Sequence, residues 1–220
     1  MFRTMSLNRA LMRATGAAAA LALGLALIAM IEISADKGMS LVQGLVEFFS
    51  YFTILANMLA AALLFTSFMK PNSKMLLARS TAISATTVYL VSLGLFYSLA
   101  LRNFWNPQGP LQVLSDALLH EVVPILCLAV WLTFTPKGML KWLDAVIWLI
   151  FPFVYWVYVF LRGAISGAYP YPLVDVASRG SVRALTNAAI HLTSILLLGL
   201  CAVAVDRWLA RTHSSQKRVS

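Results

Sequence analysis

Long apolar runs, each interrupted by a short polar segment, follow one another along this chain. A transmembrane helix needs about 20 mostly apolar residues. Six stretches qualify: 12–32, 48–69, 77–101, 115–134, 143–162 and 186–208. The breaks carry turn chemistry and charge, as in Lys70-Pro71-Asn72-Ser73-Lys74, Asn106-Pro107-Gln108-Gly109-Pro110 and Thr135-Pro136-Lys137-Gly138. The pattern predicts an all-α fold, a polytopic membrane helix bundle with about six transmembrane helices. One transmembrane domain covers 12–208, between a short N-terminal segment, 1–11, and a basic tail, 209–220. The first run follows Arg3, Arg9 and Arg13 and so has the flank of a signal peptide. It is long for such a core, and Ile33-Ser34-Ala35 is a poor cleavage site, so a retained helix is expected. No internal repeat is visible.

Composition agrees with a lipid solvent. Of the 220 residues 60% are hydrophobic and only 11% charged, less than half the usual charged share of a soluble domain. Mean hydropathy is +0.81. The net charge of +9 sits in clusters between apolar runs rather than among exposed aromatics. That favours loops facing anionic lipid and argues against a nucleic-acid partner. Twelve of the seventeen Lys and Arg residues fall on one side of the predicted membrane: 3, 9, 13, 70, 74, 79, 137, 141, 207, 211, 217 and 218. Lys37, Arg102, Arg162, Arg179 and Arg183 fall on the other. The positive-inside rule therefore puts both termini in the cytoplasm. The two cysteines, Cys127 and Cys201, lie inside apolar runs and suggest filler rather than a metal or disulfide framework. No metal and no cofactor is expected.

Polar groups inside a bilayer are costly, so they mark candidate chemistry. Ser50, Thr53 and Asn57 share a face of the second helix, Asp116 and His120 a face of the fourth, and Asn187, His191 and Ser194 a face of the sixth. These helices run from outside to inside. Thr53, His120 and His191 each lie about five residues past the outer start, roughly 7–8 Å deep, which would let them line one pocket. Asp144 reads as a charge at a helix N-terminus. Tyr155, Trp156 and Tyr158 read as interfacial aromatics, and Arg162 as a snorkelling side chain. Pro124 and Pro152 should kink their helices. The fifth loop, Arg162 to Val176, alternates Tyr169, Pro170, Tyr171 and Pro172 before Asp175. Such a segment resists helix and strand alike and reads as a cap over the outer mouth or as an interfacial loop.

Together these segments resemble a known family. They are Phe48-Phe49-Ser50-Tyr51-Phe52-Thr53-Ile54-Leu55-Ala56-Asn57, Leu119-His120-Glu121-Val122-Val123-Pro124, Phe151-Pro152 with Tyr155 and Tyr158, Arg162-Gly163, Tyr169-Pro170-Tyr171-Pro172 with Asp175-Val176, and Asn187. Their order and spacing are similar to the bacterial branch of the family of androgen-induced gene protein and androgen-dependent TFPI-regulating protein. The resemblance implies a multi-pass hydrolase of a bacterial inner membrane. Its substrates would be esters of hydroxy fatty acids or related lipids. Thr53 is then the nucleophile and His120 the base, while no role for His191 follows from it. From facing alone, Asp116 could orient His120 and Asn57 could donate to an oxyanion. Two other classes remain open at this point: a transporter or channel component for a small solute or protons, and a scaffold without chemistry.

Overall fold

The structure, a computed structural model, describes residues 2–69 and 76–219, with side chains over 10–66 and 80–212. The polar break expected at 70–74 lies outside the described residues. Five helices are long and apolar enough to cross a bilayer: Ala10–Asp36, Ser80–Phe104, Gly109–Phe134, Trp142–Ser166 and Ser181–Thr212. A further apolar pair, α2 (Leu41–Phe49) and α3 (Phe52–Met69), meets at 75° and passes the same test of length and composition only when taken together, which makes five to six crossings. The others are α1 (Phe2–Asp36), α4 (Leu76–Phe96), α5 (Gly109–Ala117), α6 (Val123–Phe134), α7 (Trp142–Ile147), α8 (Ile150–Ser166), the short α9 (Val176–Arg179) and α10 (Ser181–Val219). No strand occurs among the described residues. Leu21, Ile28, Leu95, Ile125, Phe153, Leu161 and Leu197 point outward and are exposed. Apolar surface on this scale is matched to acyl chains, and helices pair most of their own backbone, as lipid requires. The chain is an all-α, polytopic integral membrane protein.

Helix α4 is the hub, packed by α3, α6 and α10. Its buried Ser80, Ser84, Thr86, Thr87 and Ser92 let helices approach closely. The hydroxyls of Ser84, Thr86 and Thr87 donate to carbonyls one turn back, and Ser84 also accepts from Trp131 Nε1 at 2.8 Å. Helix α1 packs against α3, α5 and α6 as part of the bundle.

Several boundaries differ from expectation, each for a local reason. The second crossing is not a continuous helix over 48–69. No Pro or Gly marks its break at Ser50-Tyr51. Tyr155, from the fifth crossing, supplies the missing partners: its hydroxyl donates to Ser50 O at 2.9 Å and accepts from Phe52 N at 3.2 Å. One phenol thus satisfies the end of α2 and the start of α3, groups that lipid would leave unpaired. Ser50 is therefore off the face of Thr53 and Asn57; its hydroxyl reaches Val46 O and Tyr158 OH. The fourth crossing starts at Gly109 rather than 115, with Pro110 in its first turn. The sixth starts at Ser181 rather than 186.

Pro124 does not simply kink the fourth crossing. It cannot donate to the His120 carbonyl and its ring would crowd that oxygen. The helix widens into a π-turn over Leu118–Val122, a frequent accommodation at functional sites. Helix α4 packs closely on this turn, because a Cβ on Gly94 would lie 2.7 Å from His120 O. A second π-turn, Tyr97–Leu101, follows α4. Pro152 likewise cannot donate to Trp148 O, and Tyr89 OH takes that carbonyl at 2.6 Å, between α7 and α8.

At the opposite end, buried Asp206 accepts from Gly138 N at 3.0 Å and Leu140 N at 3.1 Å. This pins the loop after α6 to α10. Lys137 in that loop lies over the Trp131 ring. Burial lowers its ammonium to about 8, against the pull of Asp206. Asp144, a charge at the N-terminus of the fifth crossing as expected, also accepts from Lys141 N at 2.8 Å.

Candidate active site

Thr53 is the second residue of α3, a consequence of the break that starts a new helix at Phe52. It therefore sits in the first turn, where the backbone N–H groups of α3 and the positive end of the helix dipole gather. Its Oγ1 is 3.3 Å from His120 Nε2. His120 Nδ1 lies 3.1 Å from both Asp116 O and Asp116 Oδ1. Both are acceptors, so Nδ1 carries the proton and Nε2 is left to accept from the threonine hydroxyl. Asp116 Oδ2 in turn accepts from Tyr97 OH. The Tyr97 ring stacks on His120 with centroids 4.0 Å apart and planes within 10°. Thr53, His120, Asp116 and Tyr97 form one connected row, its two aromatic members carried by the two π-turns. Beside it Arg102 pairs with Glu121. Glu121 thus faces away from His120.

Two cavities meet at this row. A cleft of about 500 Å³ reaches Thr53, His120 and Asp116, within the usual range for lipid-sized ligands. Ala26, Ala29 and Ile33 of α1 give it an apolar wall, and Lys37, Glu47 and Arg162 lie along it as well. A second cavity, of about 20 Å³, also touches Thr53 and His120 and adds His191. The three residues expected at one depth do share one layer. His120 and His191 lie eleven and ten residues past the helix starts at Gly109 and Ser181, roughly 15–17 Å along each helix. His191 is buried and accepts from Trp156 Nε1 at 3.2 Å.

The remaining sequence candidates fall into place around this row. Asn57 is fully buried one turn below Thr53 and donates to Thr53 O at 2.9 Å. This holds the helix backbone and does not aim at the threonine hydroxyl. Asn187 donates to Leu173 O at 2.7 Å and ties the fifth loop to α10. Tyr155 and Trp156 are buried partners of the break and of His191, not interfacial aromatics; Tyr158 alone is exposed. Arg162 does not snorkel freely, because its Nη1 donates to Ala168 O at 2.8 Å. Asp175 caps α9 through Ala177 N at 2.9 Å, and the Ser178 hydroxyl holds its carboxyl below the usual range. It stabilises the loop from outside the site. Tyr97 was not singled out from sequence. A lone tyrosine near a helix end carries no periodic signal.

The fifth loop closes one side of the cleft. Tyr169, Pro170, Tyr171 and Pro172 all line it, and Tyr171 meets Tyr51 edge-on at 5.5 Å. Burial raises the Tyr171 phenol, partly offset by the Thr53 hydroxyl and backbone beside it. Gly163 makes the fold-back possible, since a Cβ there would overlap the Tyr169 ring. Gly163→Ala should cost about 1–3 kcal/mol and lower Tm by several degrees. Ala164→Ser on the exposed neighbour should leave Tm unchanged. Thermal unfolding in detergent checks both, and an unshifted Gly163→Ala melt would mean that Tyr169 does not pack there.

Among the described residues no three His, Cys, Asp or Glu side chains converge as a metal site. Comparison with protein families, with curated proteins and with solved structures finds no match to this chain.

Proposed function

We propose that this protein is a membrane-embedded threonine hydrolase of lipid esters. We place it in the bacterial branch of the androgen-induced gene protein family, in a bacterial inner membrane with both termini cytoplasmic. The observation that carries the reading is the 3.3 Å approach of Thr53 Oγ1 to a His120 nitrogen whose partner nitrogen faces Asp116. A threonine hydroxyl is inert without a base within reach. Here His120 Nε2 takes the hydroxyl proton as Oγ1 attacks the ester carbonyl. Asp116, held by Tyr97, steadies the imidazolium. The positive end of the α3 dipole lies at Thr53 and favours the developing oxyanion. Collapse expels the alcohol, which takes the proton from His120, and leaves an acyl ester on Thr53. The cleft suits a substrate with an apolar chain along α1 and a polar end near Lys37 and Arg162.

A transport pathway has less support. Beyond Asn57 the inner half offers hydroxyls that already bond their own helix, as at Thr86 and Thr87, and a cavity there of only about 10 Å³. The test is hydrolysis of a fatty acid ester of a hydroxy fatty acid by the purified protein, with a fluorophosphonate adduct mapped by mass spectrometry. Hydrolysis with the adduct on Thr53 is expected. Absence of both, or an adduct elsewhere, would sink the assignment.

A further inference from the structure

We infer that His191 is the third reacting-site residue: it holds the water that releases the acyl group from Thr53, in a single-water site distinct from the lipid cleft. The inference rests on the hydrolase reading and extends it to the second half of the reaction.

The argument starts from a hydrogen bond that fixes a tautomer. An indole nitrogen only donates. Trp156 Nε1 donates to His191 Nδ1 at 3.2 Å, so Nδ1 carries no proton. The ring is then neutral with its proton on Nε2, because a protonated imidazole has no acceptor left. Phe52 and Phe96 pack on the same ring at 5.4 and 5.2 Å between centroids and help to bury it. His191 and His120 are therefore held in opposite tautomers. One presents an N–H donor and the other a lone pair, and both line the same cavity with Thr53.

The cavity is about 20 Å³. A water needs about 10–15 Å³ and two to four polar partners. The volume admits one water and no ester, and Thr53, His120 and His191 line it together with Tyr97, Trp156 and Tyr171. In the resting protein His120 Nε2 accepts from Thr53. Once Thr53 is acylated its oxygen has no proton to give, and His120 Nε2 is released. A water accepting from His191 Nε2–H can then donate to His120 Nε2. It attacks the acyl carbonyl as His120 takes its proton. The tetrahedral adduct collapses with Thr53 Oγ1 leaving, Oγ1 recovers that proton from His120, and the carboxylic acid departs through the cleft. No oxidant or co-reactant is needed.

The structure thus separates the two halves of the cycle. Acylation uses Thr53, His120 and the large cleft; deacylation adds His191 and the small cavity. His191→Phe should keep fluorophosphonate labelling of Thr53 and a stoichiometric 4-nitrophenol burst from 4-nitrophenyl octanoate. Its steady-state turnover should fall about 100-fold, with an octanoyl adduct on Thr53 visible by mass. His191→Gln, which keeps an N–H donor, should recover part of the turnover. Trp156→Phe removes the tautomer lock without touching His191 and should slow deacylation in the same sense. Unchanged turnover in both His191→Phe and Trp156→Phe overturns the inference. So does loss of burst and labelling together with turnover in the folded variants. A wild-type protein with no burst and no label on Thr53 overturns the underlying hydrolase reading instead. One readout needs no activity: ¹⁵N-histidine NMR of the full chain at neutral pH, with His191 assigned among the three histidines by its loss in His191→Phe. A neutral ring protonated at Nε2 is expected. A ring protonated at Nδ1, or at both nitrogens, overturns the assignment whatever the activity.

Discussion

Thr53→Ala protein, purified and folded, should lose ester hydrolysis on the order of 10⁴-fold or more, the scale seen when a hydroxyl nucleophile is removed from a connected catalytic row. Thr53→Ser should keep most of it, since the hydroxyl remains and only a methyl is lost. The pair is informative because Thr53 does little for the fold beyond meeting the Tyr171 phenol. It is not the N-cap of α3, and its hydroxyl reaches His120 rather than a backbone carbonyl. The alanine variant should therefore melt within about 1 kcal/mol of wild type, which separates lost chemistry from lost fold. Fluorophosphonate labelling should disappear with the activity. If Thr53→Ala hydrolyses within tenfold of wild type, another group is the nucleophile and the row has a different purpose.

The expectation for Thr53 was reachable from sequence because of how lipid constrains a chain. A helical crossing must be apolar, so six apolar runs answer to five long helices and one bent pair, and a threonine or histidine within one stands out. What sequence hid were the interruptions. The break at Ser50-Tyr51 has no proline or glycine to announce it. It depends on Tyr155, more than a hundred residues away, satisfying both loose ends. A local reading therefore called for one helix over 48–69 and made Tyr155 an interfacial aromatic. The π-turn at His120 was half visible: Pro124 predicted a disturbance four residues earlier, though a kink rather than a widened turn. Tyr97, with no such marker, was invisible. Its importance comes from stacking on a residue of another crossing, and one sequence does not record which helices are neighbours.

These interruptions shape the site. The break starts a new helix at Phe52, with Phe52 N on Tyr155 OH and Ile54 N and Leu55 N on Tyr51 O, and so brings the positive end of the α3 dipole to Thr53. The same break uses Tyr155, whose neighbour Trp156 sets the tautomer of His191. One turn of α8 therefore fixes both the start of α3 and the far wall of the small cavity. Proline at 124 does parallel work on the opposite side. By widening the helix it presents the His120 ring to Tyr97, while its freed carbonyl faces Gly94.

His120→Ala is the other change expected to have a very large effect, comparable to that of Thr53→Ala. The reason is unity of the row: without a base the threonine is inert, and without the threonine the base has nothing to activate. The double variant should be little worse than either single one, because residues that act as a unit lose their effect once. Labelling of Thr53 by the fluorophosphonate should fall in parallel, since that attack needs the same proton transfer. Asp116→Asn should cost less, about 10- to 1000-fold, as the Nδ1–H can still donate to Asp116 O at 3.1 Å, so the useful tautomer survives. Tyr97→Phe should cost less again. It keeps the ring on His120 and removes only the hydroxyl that steadies Asp116. A structural role for His120 predicts a different order, with loss tracking the melting temperature rather than distance from the reacting oxygen. Added imidazole distinguishes the two. It can enter the cleft beside Thr53 and should restore part of the activity of His120→Ala but none in Thr53→Ala. Full labelling of Thr53 in a folded His120→Ala protein would remove His120 as the base.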